Sequence, residues 1–173
     1  MAVATCASVT VIVAFALNRS SGPNVSYNEL VSAALNWNPA EEDWKKGNLI
    51  WKSHPLPKQI RATGVDQRQE YKLPTYGVRS KCYELKLKGG GGSKALVFVF
   101  AKPPGFALPN APPASTGSTG GKCVAAWISG GLVYVLVVAG KNAERDYRDA
   151  VRSALQLTLH RPVTDILCPI GTV

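Results

Sequence analysis

Residues able to carry chemistry are scarce in this chain. Among its 173 residues there are two histidines, His54 and His160, and four cysteines, Cys6, Cys82, Cys123 and Cys168. No two cysteines stand in Cys-x-x-Cys spacing, and the histidines lie far apart in proline-flanked stretches. A zinc site, a redox motif and a Cys–His or Ser–His nucleophile therefore have no local signature. Acidic residues are also few, 11 against 20 Lys and Arg, and Glu84 alone falls on a firmly read strand. The paired carboxylates that glycosidic chemistry needs have no visible arrangement. A phosphate-binding loop is missing as well. Gly92-Ser93-Lys94 and Gly120-Gly121-Lys122-Cys123 lead into strands rather than helices, and Thr116 stands where the second would need its first glycine. The chain reads as a non-enzyme with no catalytic, cofactor-binding or metal-binding residue and no small-molecule substrate. An unrecognised hydrolase is the outlying alternative, to be judged by whether His54 or His160 meets a cysteine or carboxylate in a pocket.

Charge of either sign is absent before Arg19. Residues 1–17 are apolar or small, and at about 1.5 Å per residue a helix of that length spans roughly 25 Å, slightly short of a hydrocarbon core of about 30 Å. The leading expectation is an uncleaved membrane anchor. A secretory signal with Ala14-Phe15-Ala16 as its cleavage pattern is the second, and a buried element of the domain the third. Residues upstream of Met1 would account for the missing basic flank. Residues 18–25 form a polar linker, and residues 26–173 a single domain.

The net charge of +9 sits in the middle of the chain: 14 Lys or Arg lie between Lys45 and Lys122, against only Asp66, Glu70 and Glu84. Solvated strand faces explain such a distribution, and so does attraction to an anionic polymer or nucleic acid. No basic run exceeds two residues, and the aromatic-plus-arginine modules that bind single strands are missing. Nucleic acid is accordingly not the expected partner, and a basic binding module for an anionic polymer or nucleic acid is kept as an alternative function.

What the sequence does have is patterning. Ser26-Tyr27-Asn28-Glu29 is a capping box, after which Leu30, Val31, Ala34 and Leu35 give one apolar face to a helix over 26–37. Residues 39–46 suggest a second short helix with acids in its first turn and Gly47 as its stop. Trp37, Trp44 and Trp51 recur at a spacing of seven; packing against a sheet accounts for them better than a cofactor or carbohydrate platform. Residues 59–65 and 67–73 are weak strand candidates around a turn at Gly64–Asp66. Residues 78–88 alternate as a half-buried antiparallel strand, and residues 95–101 are apolar throughout; a glycine loop joins the two as a hairpin. The proline-, serine- and glycine-rich insert 102–121 reads as a mobile surface loop, with a functional loop as the alternative. Tyr147, Ala150, Val151 and Ala154 line one face of a helix over 142–156.

Residues 123–140 form the centre of this arrangement, two apolar runs split by Ser129-Gly130-Gly131, and read as a buried β-hairpin with the 132–139 strand covered on both faces. Trp127 and Tyr134 are expected in the core, or as a binding platform if that face is open. Cys82 and Cys123, both on strands, are the candidate disulfide; buried free thiols are the other reading. The fold class that follows is α+β, an antiparallel sheet of five or six strands with 95–101 and 132–139 central and the two amphipathic helices packed on it.

The run Ala125-Ala126-Trp127-Ile128-Ser129-Gly130-Gly131-Leu132-Val133-Tyr134-Val135-Leu136-Val137-Val138, together with the apolar N-terminus, the Ala-Leu-Val-Phe-Val-Phe strand and the proline-rich loop, resembles the extracytoplasmic portion of bacterial membrane-bound anti-sigma-factor-like proteins. The resemblance covers residues 75–150. It implies a single-pass protein in the cell membrane, its C-terminal domain outside the cytoplasm, acting as a non-enzymatic sensory or interaction domain of an envelope regulator with a protein partner. Members of that family carry a zinc-coordinating, sigma-binding segment before the membrane helix; no His-x-x-x-Cys-x-x-Cys occurs in these 173 residues, so the resemblance reaches only the membrane and outer parts. It supplies no catalytic residues.

Overall fold

The computed structural model describes residues 24–47, 50–87, 93–114 and 116–159. The expected anchor at 1–17, most of the linker, the glycine loop, Cys6, Cys168 and His160 lie outside the described residues. Among the described residues no helix is long and apolar enough to cross a membrane.

The chain runs β1 (Val25–Ser26), α1 (Tyr27–Ala34), a 3-10 turn (Glu41–Asp43), β2 (Lys45–Lys46), β3 (Ala62–Lys72), β4 (Arg79–Leu87), β5 (Lys94–Ala101), β6 (Phe106–Ala107), β7 (Gly117–Thr119), β8 (Lys122–Ser129), β9 (Leu132–Ala139) and α2 (Ala143–Leu159). Seven strands form one antiparallel sheet in the order β2-β3-β4-β5-β9-β8-β7, and β1 pairs with β6 in a separate parallel couple. The expected α+β class holds, with seven strands where five or six were expected.

Successive side chains on a strand point to opposite faces, and here both faces are covered. On one, Cys82, Leu96, Phe98, Phe100, Val124 and Val135 pack beneath α1, which contributes Leu30, Val31 and Ala34. On the other, Tyr83, Val97, Val99, Trp127, Tyr134 and Leu136 pack beneath α2, which contributes Ala143, Tyr147 and Val151. A strand buried on two sides has no position for a polar residue. That is why β5 and β9, paired along their full length at the middle of the sheet, are apolar runs and not alternating ones. The turn between β8 and β9 requires positive φ at both central residues, and Gly130 (φ 58°) and Gly131 (φ 79°) provide it.

The capping box forms as expected: the Ser26 hydroxyl accepts from the Glu29 N–H at 3.3 Å, and the Ser26 N–H donates to the Glu29 carboxylate at 2.7 Å. Donation to the carboxylate by the Ser26 N–H, then by the Ser26 hydroxyl, holds the Glu29 carboxyl below the usual range. Three local expectations are corrected. The second short helix is a single 3-10 turn, because Lys45 and Lys46 leave it to pair with Arg68 and Gln67 as an edge strand. The two weak strands are one, β3, its register shifting at Ala62/Gly64 and Val65/Gln67, so that Gly64–Asp66 marks a bulge rather than a turn. The insert is pinned to the domain: Phe106 is buried against Phe100, the Ile128 N–H donates to the Pro109 carbonyl at 2.8 Å, and the Tyr147 hydroxyl donates to the Pro113 carbonyl at 2.6 Å.

Candidate functional site

Trp127 and Tyr134 face each other across β8 and β9, their rings stacked with centroids 5.7 Å apart and planes inclined by 18°. Trp127 is 0% exposed and Tyr134 4%. The geometry is that of core residues on the α2 face, and it leaves no open platform.

Cys82 and Cys123 are both buried and both free, which corrects the disulfide expectation. Cys82 belongs to the core under α1 and Cys123 to the core under α2. Their strands, β4 and β8, are separated by β5 and β9. A sheet residue cannot bond through the sheet to the opposite face three strand spacings away, since a disulfide needs Cα atoms within about 7 Å. Burial pushes the Cys82 thiol well above its ordinary range, which leaves it inert as a nucleophile.

His54 sits in the loop that crosses the α2 face. The Tyr83 hydroxyl ties this loop down by accepting from the Trp51 N–H at 3.1 Å and donating to the His54 carbonyl at 2.7 Å; burial raises the Tyr83 pKa to about 12. The His54 ring contacts the Ser53 hydroxyl at 2.9 Å, and burial, then the neighbouring Lys81 ammonium, lower its pKa. The residue beside it is thus an exposed serine next in sequence, in a loop, and the acid that acts on the ring, Glu70, is itself paired with Lys81. Among the described residues no group of three or more His, Cys, Asp or Glu is placed to hold a metal ion.

Two features of the surface are built by strand register. The first is the basic end of the sheet. Directly opposed residues share a face, and the pairs Lys45↔Arg68, Glu70↔Lys81 and Lys72↔Arg79 alternate with pairs that point the other way. Five cations and one acid therefore gather on one face of β2, β3 and β4, beyond the edge of the α2 core. Lys81 pairs with Glu70 and holds its carboxyl below the usual range. Trp51 lies over this group, with the Arg68 guanidinium carbon 4.7 Å and the Lys81 Nζ 4.9 Å from its ring centroid.

The second is a cavity of ≈ 270 Å³ on the α1 face, walled by Trp37 and Trp44 and floored by Leu96, Val137 and Ala139, with Lys94 and Lys122 at its sides. Trp37 packs edge-on against Phe98, with centroids 5.0 Å apart. The spacing of seven thus sends the three tryptophans to different places. Trp37 and Trp44 cover the α1 core, and Trp51 covers the α2 core and its basic margin.

No protein-family model matches the chain, and neither a curated protein nor a solved structure matches it.

Proposed function

We propose that this chain is a non-enzymatic interaction domain of an envelope regulator, held at a membrane by residues 1–17 with the domain outside the cytoplasm, and that it meets an acidic surface of a partner protein through the basic face of β2, β3 and β4. The observation that carries the reading is the register that gathers Lys45, Arg68, Lys72, Arg79 and Lys81 around Trp51 with Glu70 as the one acid of those pairs. Charge of one sign on such a face steers encounter with the opposite sign, and a half-buried tryptophan at its centre supplies the kind of anchor on which interfaces turn. The resemblance of residues 125–138 supports the envelope setting, and burial of 125–127 and 133–138 in the two cores makes those strands scaffold, leaving recognition to the margins of the sheet.

The test is a photoreactive residue at position 72 in the full chain, expressed in cells. The reading expects a crosslinked protein that disappears when Lys45 and Arg79 are both changed to Glu, with the melting temperature preserved. Crosslinks indifferent to that reversal would reject it.

A second reading, a binding module for an anionic polymer, draws on the same five cations. It expects the purified chain to bind heparin or single-stranded DNA, with affinity falling steeply as salt rises in proportion to the number of anionic groups neutralised. A protein partner bound at one compact face gives a shallower dependence.

A further inference from the structure

The cavity beneath Trp37 and Trp44 owes its character to a single row of residues. Lys94 on β5 and Lys122 on β8 both lie directly opposite Ala139 on β9, one from each side. The next row inward on the same face is Leu96, Val137 and Val124, all core residues under α1. The two lysines therefore stand on the apolar face where it ends, two strand spacings apart, roughly 10 Å between Cα atoms. The residue between them is an alanine, whose methyl leaves the space open.

We propose that this cavity is a binding site for a small organic anion, a carboxylate or phosphate carried on an apolar, preferentially planar body. The anionic group sits over Ala139 between Lys94 and Lys122; the body lies on Leu96 and Val137 against Trp37 and Trp44.

Each ammonium has donors left for it. A lysine carries three N–H donors. Lys122 gives one to the Leu35 carbonyl at the end of α1, at 3.0 Å, which fixes the head in place. Lys94 is 3.4 Å from the Glu84 carboxylate and its Nζ lies 5.7 Å from the Trp44 ring centroid. The acids near the site are Glu84, already engaged by Lys94 and by the Gln67 amide, and the exposed Glu41 at the rim. Trp37, 4% exposed, offers the site its ring alone, since its indole N–H has almost no accessible surface with which to meet a ligand. The volume lies just under the usual range for ligand pockets, about 300 to 1,000 Å³, and suits a single ring with one charged group.

The probes are benzoate and phenyl phosphate, with benzyl alcohol as the neutral counterpart, each titrated into the full chain in detergent and followed by calorimetry and tryptophan fluorescence. One of the anions, or both, should bind one-to-one with a dissociation constant on the order of 1 mM or tighter, and benzyl alcohol at least about tenfold more weakly. Lys122→Met and Lys94→Met should each weaken the anion about tenfold or more, while Lys58→Met, elsewhere on the surface, should not. Ala139→Leu keeps both ammoniums and fills the space between them, so it should abolish binding while the melting temperature holds; it decides the matter even if Lys122→Met destabilises α1. Absence of saturable binding by either anion up to roughly 10 mM, equal binding of the alcohol, or full binding by Ala139→Leu would overturn the proposal.

Discussion

Trp127→Ala separates scaffold from site most sharply. The side chain is 0% exposed, stacked on Tyr134, and lies among Val97, Ala125 and Leu136 in the core under α2. A buried tryptophan removes on the order of 200 Å² from water, which at about 25 cal/mol per Å² amounts to about 5 kcal/mol. Truncations of buried aromatic residues cost about 3 to 5 kcal/mol, the surrounding structure closing only part of the cavity. Domains of this size have a net stability of about 5 to 15 kcal/mol, so the variant gives up a large share of it. Urea denaturation of the purified chain, followed by circular dichroism, should show a much lower midpoint at unchanged slope. Trp127→Phe is the informative companion. It gives up part of the ring but also removes an indole N–H that is buried without an acceptor, and leaving such a donor unpaired costs about 1 to 3 kcal/mol. Its loss should therefore be well below that of the alanine variant. An alanine variant unfolding at the wild-type midpoint would refute the packing argument and return Trp127 to the surface.

Gly140→Ala should lower stability by about 1 to 3 kcal/mol, because Gly140 has φ 149° and a Cβ there would lie 2.7 Å from the Ser93 Oγ and 3.0 Å from its Cα; a melting curve matching wild type would contradict this. In a chain with Cys6 and Cys168 changed to Ser, Cys82 and Cys123 should resist a thiol reagent while folded and both react in urea, whereas a bridged pair would stay unreactive in urea until reduced. Stability should fall as pH rises from about 10 towards 12. The Tyr83 hydroxyl, its pKa raised to about 12 by burial, stays protonated in the fold while the unfolded chain releases that proton from its ordinary value of 10.0. Tyr147, also raised by burial, contributes to the same fall, so Tyr83→Phe should lessen the slope without abolishing it, and an unchanged slope would remove Tyr83 from the explanation. Mild acidification, before the lowered carboxyls of Glu29 and Glu70 begin to titrate, acts through His54. Its lowered pKa means that the unfolded chain takes up a proton first, so stability declines as pH drops below about 6.5, and His54→Gln should lessen the decline.

The centre of the fold was legible because burial on two faces leaves one solution for composition. Residues 95–101 and 132–139 are apolar at nearly every position, and they are the middle of the sheet. The helix at Tyr27 was legible from a local reciprocal bond, Ser26 with Glu29. The edges were not, since β2 exists only through its pairing with β3, and a two-lysine strand has no periodicity of its own. Gly64 and Asp66 look like a turn in one dimension and are a bulge in two. The small and polar residues of the insert suggest a mobile surface loop, yet Pro109 and Pro113 tie it down through backbone carbonyls, which composition does not reveal. The cation-lined features were hidden for a related reason. Lys94, Lys122 and Ala139 become neighbours only once three strands are in register, and the same holds for Lys45, Arg68 and Lys81. Cys82 and Cys123 show the converse: both strands are legible in the sequence, but the face and order that keep the thiols apart depend on the whole sheet.

The proposed interaction domain stands outside the cytoplasm on a membrane anchor. Protease accessibility, measured on intact cells that express the full chain and combined with fractionation of their membranes, tests it most directly. The claim predicts that the chain sediments with membranes and that added protease digests the 26–173 domain without lysis. Full-length protein in the soluble cytosol, protected until the cells are broken, would contradict it.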